Sequence, residues 1–326
     1  MEKTIINEFS ESSLDFIKVS NNVGLTVTFC SLGAAIFSID FLGKPMTYQP
    51  KNSQEFLRKN VYHGKTIGRV AGRIHSDEII VDGTTYKLAA NEAGNVLHGG
   101  NGAFSEKIFA SKISTDENFI SLEYSYLSKD GECGFPGDAC VVVRYTIPFN
   151  EPSLNIEYSV KVTKKCPISL TTHTYFCLGD SNLNNLELMI NSSKLVLIDD
   201  NDLTIKGTGE IPSYLDFRKP KLLVKDINAK EINRGRLCGY DHILLLDETN
   251  PKVVLENDKF KFLISTDLDA VVFYTDNYDA GFEANNSTDI LRRGIAIEPQ
   301  LNPLNDRLLK PGQEYKHFIK YSFQAK

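Results

Sequence analysis

Residues 154–162 read Leu-Asn-Ile-Glu-Tyr-Ser-Val-Lys-Val, with an apolar side chain at every second position. Successive side chains of a β-strand point to opposite faces, so this stretch predicts a strand with one buried and one solvated face. The same alternation occurs at Val23–Phe29, Val141–Ile147 and Ile319–Phe323. Shorter apolar runs that fit strands occur at Lys194–Ile198, His242–Leu246, Lys252–Leu255 and Ala270–Tyr274.

These strand patterns are separated by Gly, Asn, Asp and Pro, as turns require. No long segment has helical periodicity, and only Gln54–Lys59 suggests a short helical turn. Many strands without intervening helices predict an all-β fold, an antiparallel sandwich or barrel. No linker or low-complexity tract divides the chain, so we expect residues 1–326 to form a single domain.

The bulk composition excludes several classes of protein. The chain has 326 residues, of which 41% are hydrophobic, and a net charge of -6. That hydrophobic content supports a core, and the charge argues against nucleic acid as the main partner. No apolar run reaches membrane-spanning length, so we expect no membrane association. The first residues lack the features of a signal peptide, which favours a cytoplasmic protein with free thiols.

The first candidate site residue is a histidine in the segment Ile168–Leu178, which reads Ile-Ser-Leu-Thr-Thr-His-Thr-Tyr-Phe-Cys-Leu. Read as one strand, this segment places His173 on the same face as small hydroxyl side chains and Tyr175. Such a face can hold a polar ligand while the opposite face packs. The alternative is a partly exposed strand histidine without a role.

Four more residues could bind or transform a ligand. Arg73 follows a glycine and could present its donors to hydroxyls or a carboxylate, or be a surface arginine in a turn. His98 precedes two glycines and is either a site residue or structural. Asp241 lies at the mouth of an apolar strand, where it could bind hydroxyls or cap a turn.

Glu298 is the fourth of these residues. It shares the polar face of an apolar strand with Ala296, opposite Ile295 and Ile297, and Pro299 ends or edges that strand. A carboxylate in a sheet is costly unless it is paired or used. The six histidines show no spacing typical of a metal site, and no Gly-x-Ser-x-Gly motif indicates a serine hydrolase.

Taken together, the chain resembles the aldose 1-epimerase (galactose mutarotase) family. The motifs that carry the resemblance stand in the family's order: Gly68–Ile74, Leu97–Gly100, Phe135–Gly137, His173–Phe176, Asp241–His242, Glu298–Gln300 and Lys310–Tyr315. Each motif alone is unspecific, but the ordered set spans most of the chain.

The resemblance implies a large antiparallel β-sandwich that interconverts the α and β anomers of free aldoses such as galactose and glucose, without a metal or organic cofactor. It implies that His173 is the general acid and Glu298 the general base. It also implies that Arg73, His98 and Asp241 bind the sugar. The only partner expected is the small-molecule sugar, and the sequence leaves open whether the protein is a monomer or a homodimer.

Four positions depart from the family pattern. The family often has Asn where this chain has Gly72, Thr172 and Cys177, and some members have Gln where it has Val272. These departures are expected to affect which sugar is preferred.

Three other functions remain open. One is a glycoside hydrolase that uses Asp241 and Glu298 as its carboxylate pair. The others are a non-catalytic sugar sensor and a hexose-6-phosphate 1-epimerase.

Overall fold

The computed structural model describes residues 4–5, 14–48, 50, 53–58, 61–92, 94–233, 238–277 and 292–326. Its strands are, in chain order, β1 (Thr4–Ile5), β2 (Phe16–Ser20), β3 (Leu25–Cys30), β4 (Ala35–Phe41), β5 (Lys44–Pro45), β6 (Thr66–Ile67), β7 (Arg73–Ile74), β8 (Glu78–Val81), β9 (Thr84–Lys87), β10 (Val96–Leu97), β11 (Ala110–Thr115), β12 (Phe119–Ser128), β13 (Ala139–Pro148), β14 (Ser153–Val162), β15 (Cys166–Pro167), β16 (Thr171–Thr172), β17 (Tyr175–Phe176), β18 (Glu187–Ile190), β19 (Ser192–Ile198), β20 (Ile205–Gly209), β21 (Lys221–Leu222), β22 (Asp241–Leu246), β23 (Val253–Glu256), β24 (Phe260–Thr266), β25 (Ala270–Tyr274), β26 (Ile295–Gln300), β27 (Leu308–Leu309) and β28 (Tyr315–Ala325).

Helical structure in the described residues is short. The α-helix α1 spans Ser53–Leu57, which confirms most of the helical turn predicted at Gln54–Lys59, and Lys59 lies outside the described residues. Single 3₁₀ turns are present at Phe104–Glu106, Glu132–Gly134, Ser213–Leu215 and Leu223–Lys225. No helix in these parts of the chain has the length and apolar character needed to cross a membrane.

Two large sheets dominate the fold. A nine-stranded sheet has the order β11-β12-β13-β14-β28-β24-β23-β18-β21, and a six-stranded sheet has the order β17-β26-β25-β22-β19-β20. The strands of both sheets pair antiparallel. A five-stranded sheet, β1 to β5, precedes them in the chain. The all-β antiparallel sandwich is therefore confirmed, whereas the single domain over residues 1–326 stays a prediction.

The large sheets meet through aromatic side chains. Phe176 of β17 stacks on Phe262 of β24 with ring centroids 4.1 Å apart, and Tyr321 of β28 packs edge-on against Phe176 at 5.2 Å. All three side chains are buried in the main core. Aromatic pairs of this geometry add to the free energy of burying their area. This contact fixes the six-stranded sheet on the nine-stranded one and orients the residues next to Phe176.

The prediction of one continuous strand at Ile168–Leu178 is wrong. The segment contains two short strands, β16 and β17, which pair with different strands, β6 and β26, and β15 ends just before it. Every residue from 168 to 178 is buried, so neither side of the segment faces solvent. His173 lies between β16 and β17, and its amide donates to the Lys65 carbonyl at 3.1 Å while its own carbonyl accepts from Gly64 at 2.9 Å.

The first arginine of the Gly68–Ile74 motif, Arg69, is structural. Arg69 is buried and donates to the carbonyl oxygens of Ser128, Lys129 and Pro136 at 3.0–3.1 Å, and to the Ser128 hydroxyl at 2.8 Å. Because a loop that buries its carbonyls must pair them, this guanidinium closes the connection between β12 and β13.

Replacing Arg69 by Ala should lower the free energy of unfolding by about 3 kcal/mol or more, because several buried carbonyls lose their donors. Urea denaturation followed by circular dichroism measures this change. Arg218→Ala is the control, since Arg218 pairs with Asp216 on the surface and such pairs contribute about 0–1 kcal/mol. Equal effects of the two substitutions would contradict the structural role of Arg69.

Candidate active site

A cavity of about 340 Å³ lies over the outward face of the six-stranded sheet. On β25, Val271 and Phe273 point into the core, whereas Val272 and Tyr274 are half-buried and line the cavity. On β26, Glu298 and Gln300 line the cavity. The sheet therefore has one face for the core and one for a ligand, as its period of two dictates.

Glu298 and His173 meet at the floor of this cavity. The Nε2 atom of His173 lies 3.4 Å from Oε1 of Glu298, and the two side chains are 5% and 2% exposed. The predicted face is confirmed, because Ile295 and Ile297 are in the core. Pro299 does not end β26, because the strand continues to Gln300. It lies at an edge instead: β17 pairs with β26 only at residues 295–296, so the part of β26 around Pro299 pairs with β25 alone. Partial exposure of the His173 side chain is excluded, because it is 5% exposed.

Burial sets the protonation of this pair. It lowers the pKa of His173 to about 4, and it raises the pKa of Glu298 well above its ordinary value, with Asp241 adding to the rise and Arg73 opposing it. Desolvation disfavours both charged forms, so a neutral imidazole beside a protonated carboxyl is favoured. That state differs from an imidazolium–carboxylate pair by one proton moved between adjacent atoms. The pair is thus a unit that can accept one proton and donate another.

Aromatic rings hold the imidazole of His173 in place. Tyr62 stacks on it at 5.5 Å with an interplanar angle of 26°, and Tyr175 lies on it at 4.9 Å and 34°. His98 contacts it edge-on at 5.3 Å. These rings restrict the rotation of the His173 side chain and exclude water from it. Sequence reasoning missed Tyr62, because nothing in its local pattern shows that it lies over a residue more than a hundred positions away.

Arg73 lines the cavity within a group of carboxylates. Its Nε and Nη2 atoms donate to the two oxygens of Glu92 at 2.7 and 3.0 Å. Asp241, Glu92 and Glu298 all stabilise its charge, whereas burial opposes it. Burial also raises the pKa of Asp241, and Arg73 counteracts that rise. Glu92 orients the guanidinium and leaves its remaining donors for a ligand. Sequence reasoning did not find Glu92.

The protonated nitrogen of His98 is fixed by its neighbours. The Gly72 amide donates to Nδ1 of His98 at 3.3 Å, and burial lowers the pKa of His98 well below its ordinary value. The neutral ring therefore carries its proton on Nε2, which can donate to a ligand oxygen. His98, His173 and Glu298 place one ligand-type atom each within 4.8 Å of one another, a spacing that suits a metal ion as well. The Nε2–H tautomer suits hydrogen-bond donation rather than metal ligation, which needs an unprotonated nitrogen.

Several buried polar atoms at the cavity have no hydrogen-bond partner within the protein. They are Nδ1 of His173, Oε2 of Glu298, Oε1 of Gln300 and both ring nitrogens of His63. Leaving such groups unpaired costs about 1–3 kcal/mol each, so they indicate a cavity built for a ligand with many hydrogen-bonding groups. Gln300 follows Glu298 on the same face and could have been found from the alternation, whereas His63 had no sequence signal.

Two of the four departures from the family pattern face the cavity. Gly72 and Val272 line it, and Gly72 also binds the ring of His98. Thr172 is buried beside the site, where its hydroxyl contacts Thr174 at 3.1 Å. Cys177 is buried with its thiol against the Pro45 carbonyl. Of these four positions, only Gly72 and Val272 can therefore contact a ligand in the cavity directly.

Comparison with known proteins identifies the chain. The family model described as aldose 1-epimerase matches residues 15–322. The chain belongs to the aldose 1-epimerase family. Galactose mutarotase of Sus scrofa is 32% identical over 293 residues, covering 83% of this chain and 82% of its own. Aldose 1-epimerase of Escherichia coli K12 is 26% identical over 333 residues, covering 95% of each chain.

The solved structures agree with the fold. Galactose 1-epimerase from Lactobacillus acidophilus NCFM superposes with a TM-score of 0.88 at 23% identity, over 99% of this chain and 98% of its own. The relatives are named mutarotase and epimerase, and both names denote isomerases. As a member of this family, the protein is an isomerase of carbohydrate metabolism. All five predicted site residues, Arg73, His98, His173, Asp241 and Glu298, line one cavity.

The glycine after His98 should be essential for holding the site. A Cβ on Gly99 would lie 2.2 Å from the Gly68 carbonyl oxygen, and Gly99 has φ +90. Gly99→Ala should therefore lower the free energy of unfolding by about 3 kcal/mol, from strain plus overpacking. Gly83→Ala is the matched control, since Gly83 has φ +78 with nothing within 4 Å and should cost only about 1 kcal/mol. Urea denaturation of both variants decides this, and equal losses would contradict the close approach.

Proposed function

We propose that this enzyme is a mutarotase that interconverts the α and β anomers of free aldohexoses such as galactose and glucose. The observation that carries the proposal is the buried contact between His173 and Glu298 at 3.4 Å in a cavity lined by hydrogen-bonding groups. The names of the relatives, galactose mutarotase and aldose 1-epimerase, support the same activity.

In the proposed mechanism, Glu298 removes the proton from the C1 hydroxyl while His173 protonates the ring oxygen O5. The C1–O5 bond breaks and the O1–C1 bond becomes the carbonyl of the open-chain aldehyde. Rotation about C1–C2 presents the other carbonyl face, and the two groups then act in reverse. The proton count of the pair is unchanged over a full cycle, which matches a unit that shares one proton.

The charged form of the pair needs support when the sugar reacts. Arg73 lowers the pKa of Glu298, and sugar hydroxyls that donate to the carboxylate act in the same direction. His98, Arg73 and Asp241 line the cavity. In this proposal the Nε2–H of His98, the guanidinium of Arg73 and the carboxylate of Asp241 hold the sugar hydroxyls, so that O1 and O5 meet the pair. Positioning of this kind, together with two proton transfers, accounts for catalysis without a further group.

The charges of the cavity favour a free sugar over a phosphorylated one. Among the described lining residues, the guanidinium groups are those of Arg73 and Arg293. Arg73 is paired with Glu92 at 2.7 Å, and Arg293 approaches Asp276 at 3.5 Å. A phosphate would have to compete with these carboxylates, which disfavours a hexose 6-phosphate. Cytoplasmic location and a monomeric or homodimeric state stay predictions.

Removing either member of the pair should cripple turnover. Glu298→Gln and His173→Gln should each lower kcat by about 10²–10⁴-fold, because one proton transfer is lost while the sugar contacts remain. Polarimetry on freshly dissolved α-D-galactose and α-D-glucose measures the enzyme-catalysed rate above the uncatalysed one. Asp241→Asn should instead mainly raise KM. Near-normal kcat in Glu298→Gln would refute its role as the base.

The pH profile should reflect the buried pair. The pair binds a second proton only near pH 4, because burial lowers the pKa of His173 to about 4. As the pH falls, kcat/KM should therefore stay constant through the ordinary histidine pKa of about 6.5 and decrease only near pH 4. The alkaline limb should lie above the ordinary glutamate pKa, because burial raises that of Glu298. An acid limb centred near pH 6.5 would contradict this assignment.

Stability must be followed in the same pH range. Burial lowers the pKa of His63 to about 3, so between that value and about 6.5 the unfolded chain binds more protons than the folded one at this site. His63 therefore contributes a loss of stability as the pH falls through that window. Circular dichroism at each pH separates this unfolding from the titration of the catalytic pair.

A further inference from the structure

The sheet register places apolar side chains directly beside the proposed base. Glu298 on β26 is the cross-strand partner of Val272 on β25, and Val272 is the partner of Ile243 on β22. Partners in an antiparallel pair point to the same face, with Cβ atoms about 4.5–5.5 Å apart. Across the cavity face of the sheet, the side chains of Glu298, Val272 and Ile243 therefore lie side by side in one row.

This row continues into a larger apolar surface. Val272 and Ile243 are half-buried and line the cavity, while their neighbours Val271 and Leu244 are fully buried on the core side. At the far edge of the sheet, the partners Ile198 and Ile205 line the same cavity. We name as the apolar strip the lining residues that share this character: Ile198, Leu203, Ile205, Ile243 and Val272.

The strip contrasts with the other surroundings of Glu298. Gln300, two residues further on the same face, has an amide oxygen without a partner in the protein, and Arg73 and Asp241 supply charged groups. A sugar held at C1 therefore has donors and acceptors on most sides, Asp241 of β22 and Tyr274 of β25 included, and hydrocarbon where Val272 and Ile243 lie between them. A hydroxyl pressed against that hydrocarbon loses its hydrogen bonds to water and gains none.

The order of the strands indicates which sugar atom meets the strip. β17, which follows His173, is next to β26, and β25 and β22 come after it in the sheet. In the proposed mechanism O5 lies at His173 and O1 at Glu298, so the third heavy-atom substituent of C1, C2, is oriented toward Val272, the cross-strand partner of Glu298. A carbon bearing hydrogen or a methyl group would pack there, whereas a carbon bearing a hydroxyl would be penalised.

We propose that the apolar strip makes this enzyme prefer a deoxyaldose, a sugar with a C–H or methyl group where the common aldohexoses carry a hydroxyl. This inference rests on the proposed mutarotase function and adds its substrate class. Val272 and Ile243 are the specificity-determining residues, and they take no part in proton transfer.

The test compares kcat/KM for D-galactose and D-glucose with that for 2-deoxy-D-galactose, 2-deoxy-D-glucose and 6-deoxy-D-galactose, each corrected for its own uncatalysed mutarotation. We expect at least one deoxy sugar to exceed its parent by about tenfold or more, the range that one group in an apolar pocket supplies. The deoxy sugar whose kcat/KM exceeds that of its parent identifies the carbon that faces the strip, and the strand order favours C2.

Val272→Gln and Ile243→Asn should each move the ratio of deoxy to parent sugar by about tenfold toward the parent, since they give the hydroxyl a partner. Leu127→Gln is the control, because Leu127 is 46% exposed at the end of β12, outside the residues that line the cavity, and its ratio should match the wild type. Val272→Thr, which is close in size to Val, replaces Val272→Gln if circular dichroism shows that the latter does not fold.

Preference of the wild type for both parent hexoses over all deoxy sugars would overturn the proposal. So would a deoxy preference that the substitutions at Val272 and Ile243 leave unchanged. Failure to accelerate any of the five sugars is a different result, because it would refute the mutarotase function itself.

Discussion

The proposed chemistry of this protein depends on holding two ionisable side chains, His173 and Glu298, against each other out of water. Desolvation lowers the pKa of the imidazole and raises that of the carboxyl, so the pair favours carrying one proton over carrying two or none. A pair in water would settle into a carboxylate and a mostly neutral imidazole at neutral pH, each solvated by itself. Burial instead couples the two sites, so that the arrival of a proton at one group favours its departure from the other. This coupling is what a reaction that moves a proton from O1 to O5 requires.

Such a pair can be buried only if the backbone that carries it is rigid. Glu298 lies on β26, whose other face supplies Ile295 and Ile297 to the core. His173 lies beside β17, which Phe176 anchors on the nine-stranded sheet through Phe262. Each side chain of the pair is thus within three residues of a large core side chain that points the opposite way. The free energy of packing the core is what positions the site, and the stacking of Tyr62 and Tyr175 removes the remaining freedom of the imidazole.

The features that the sequence predicts are those set by neighbouring residues, and the features it misses are those set by contacts between distant parts of the chain. Strands such as Leu154–Val162 have regular alternation, which is a local property, and the structure has them at β14 and its neighbours. The faces of β26 were predictable for the same reason. The alternation of Ile168–Leu178 predicts one strand, but the segment pairs first with β6 and then with β26, which only those distant strands decide. Glu92 and His63 reach the cavity through loops whose paths no local pattern specifies, so neither could be found in advance.

The same register separates reactivity from sugar selection. In the proposed mechanism, proton transfer depends on β26 and on the segment that joins β16 to β17, whereas the wall beside the reacting carbon comes from β25 and β22. Side chains on β25 and β22 that face the cavity, such as Val272 and Ile243, are half-buried and pack against few core residues, so their polarity can change at small cost to the fold. The carboxylate and the imidazole have no such freedom, because an unpaired charge at either place would be expensive. A sheet with this division of roles can keep one acid–base pair while the neighbouring strands adapt the cavity to sugars with different hydroxyl patterns.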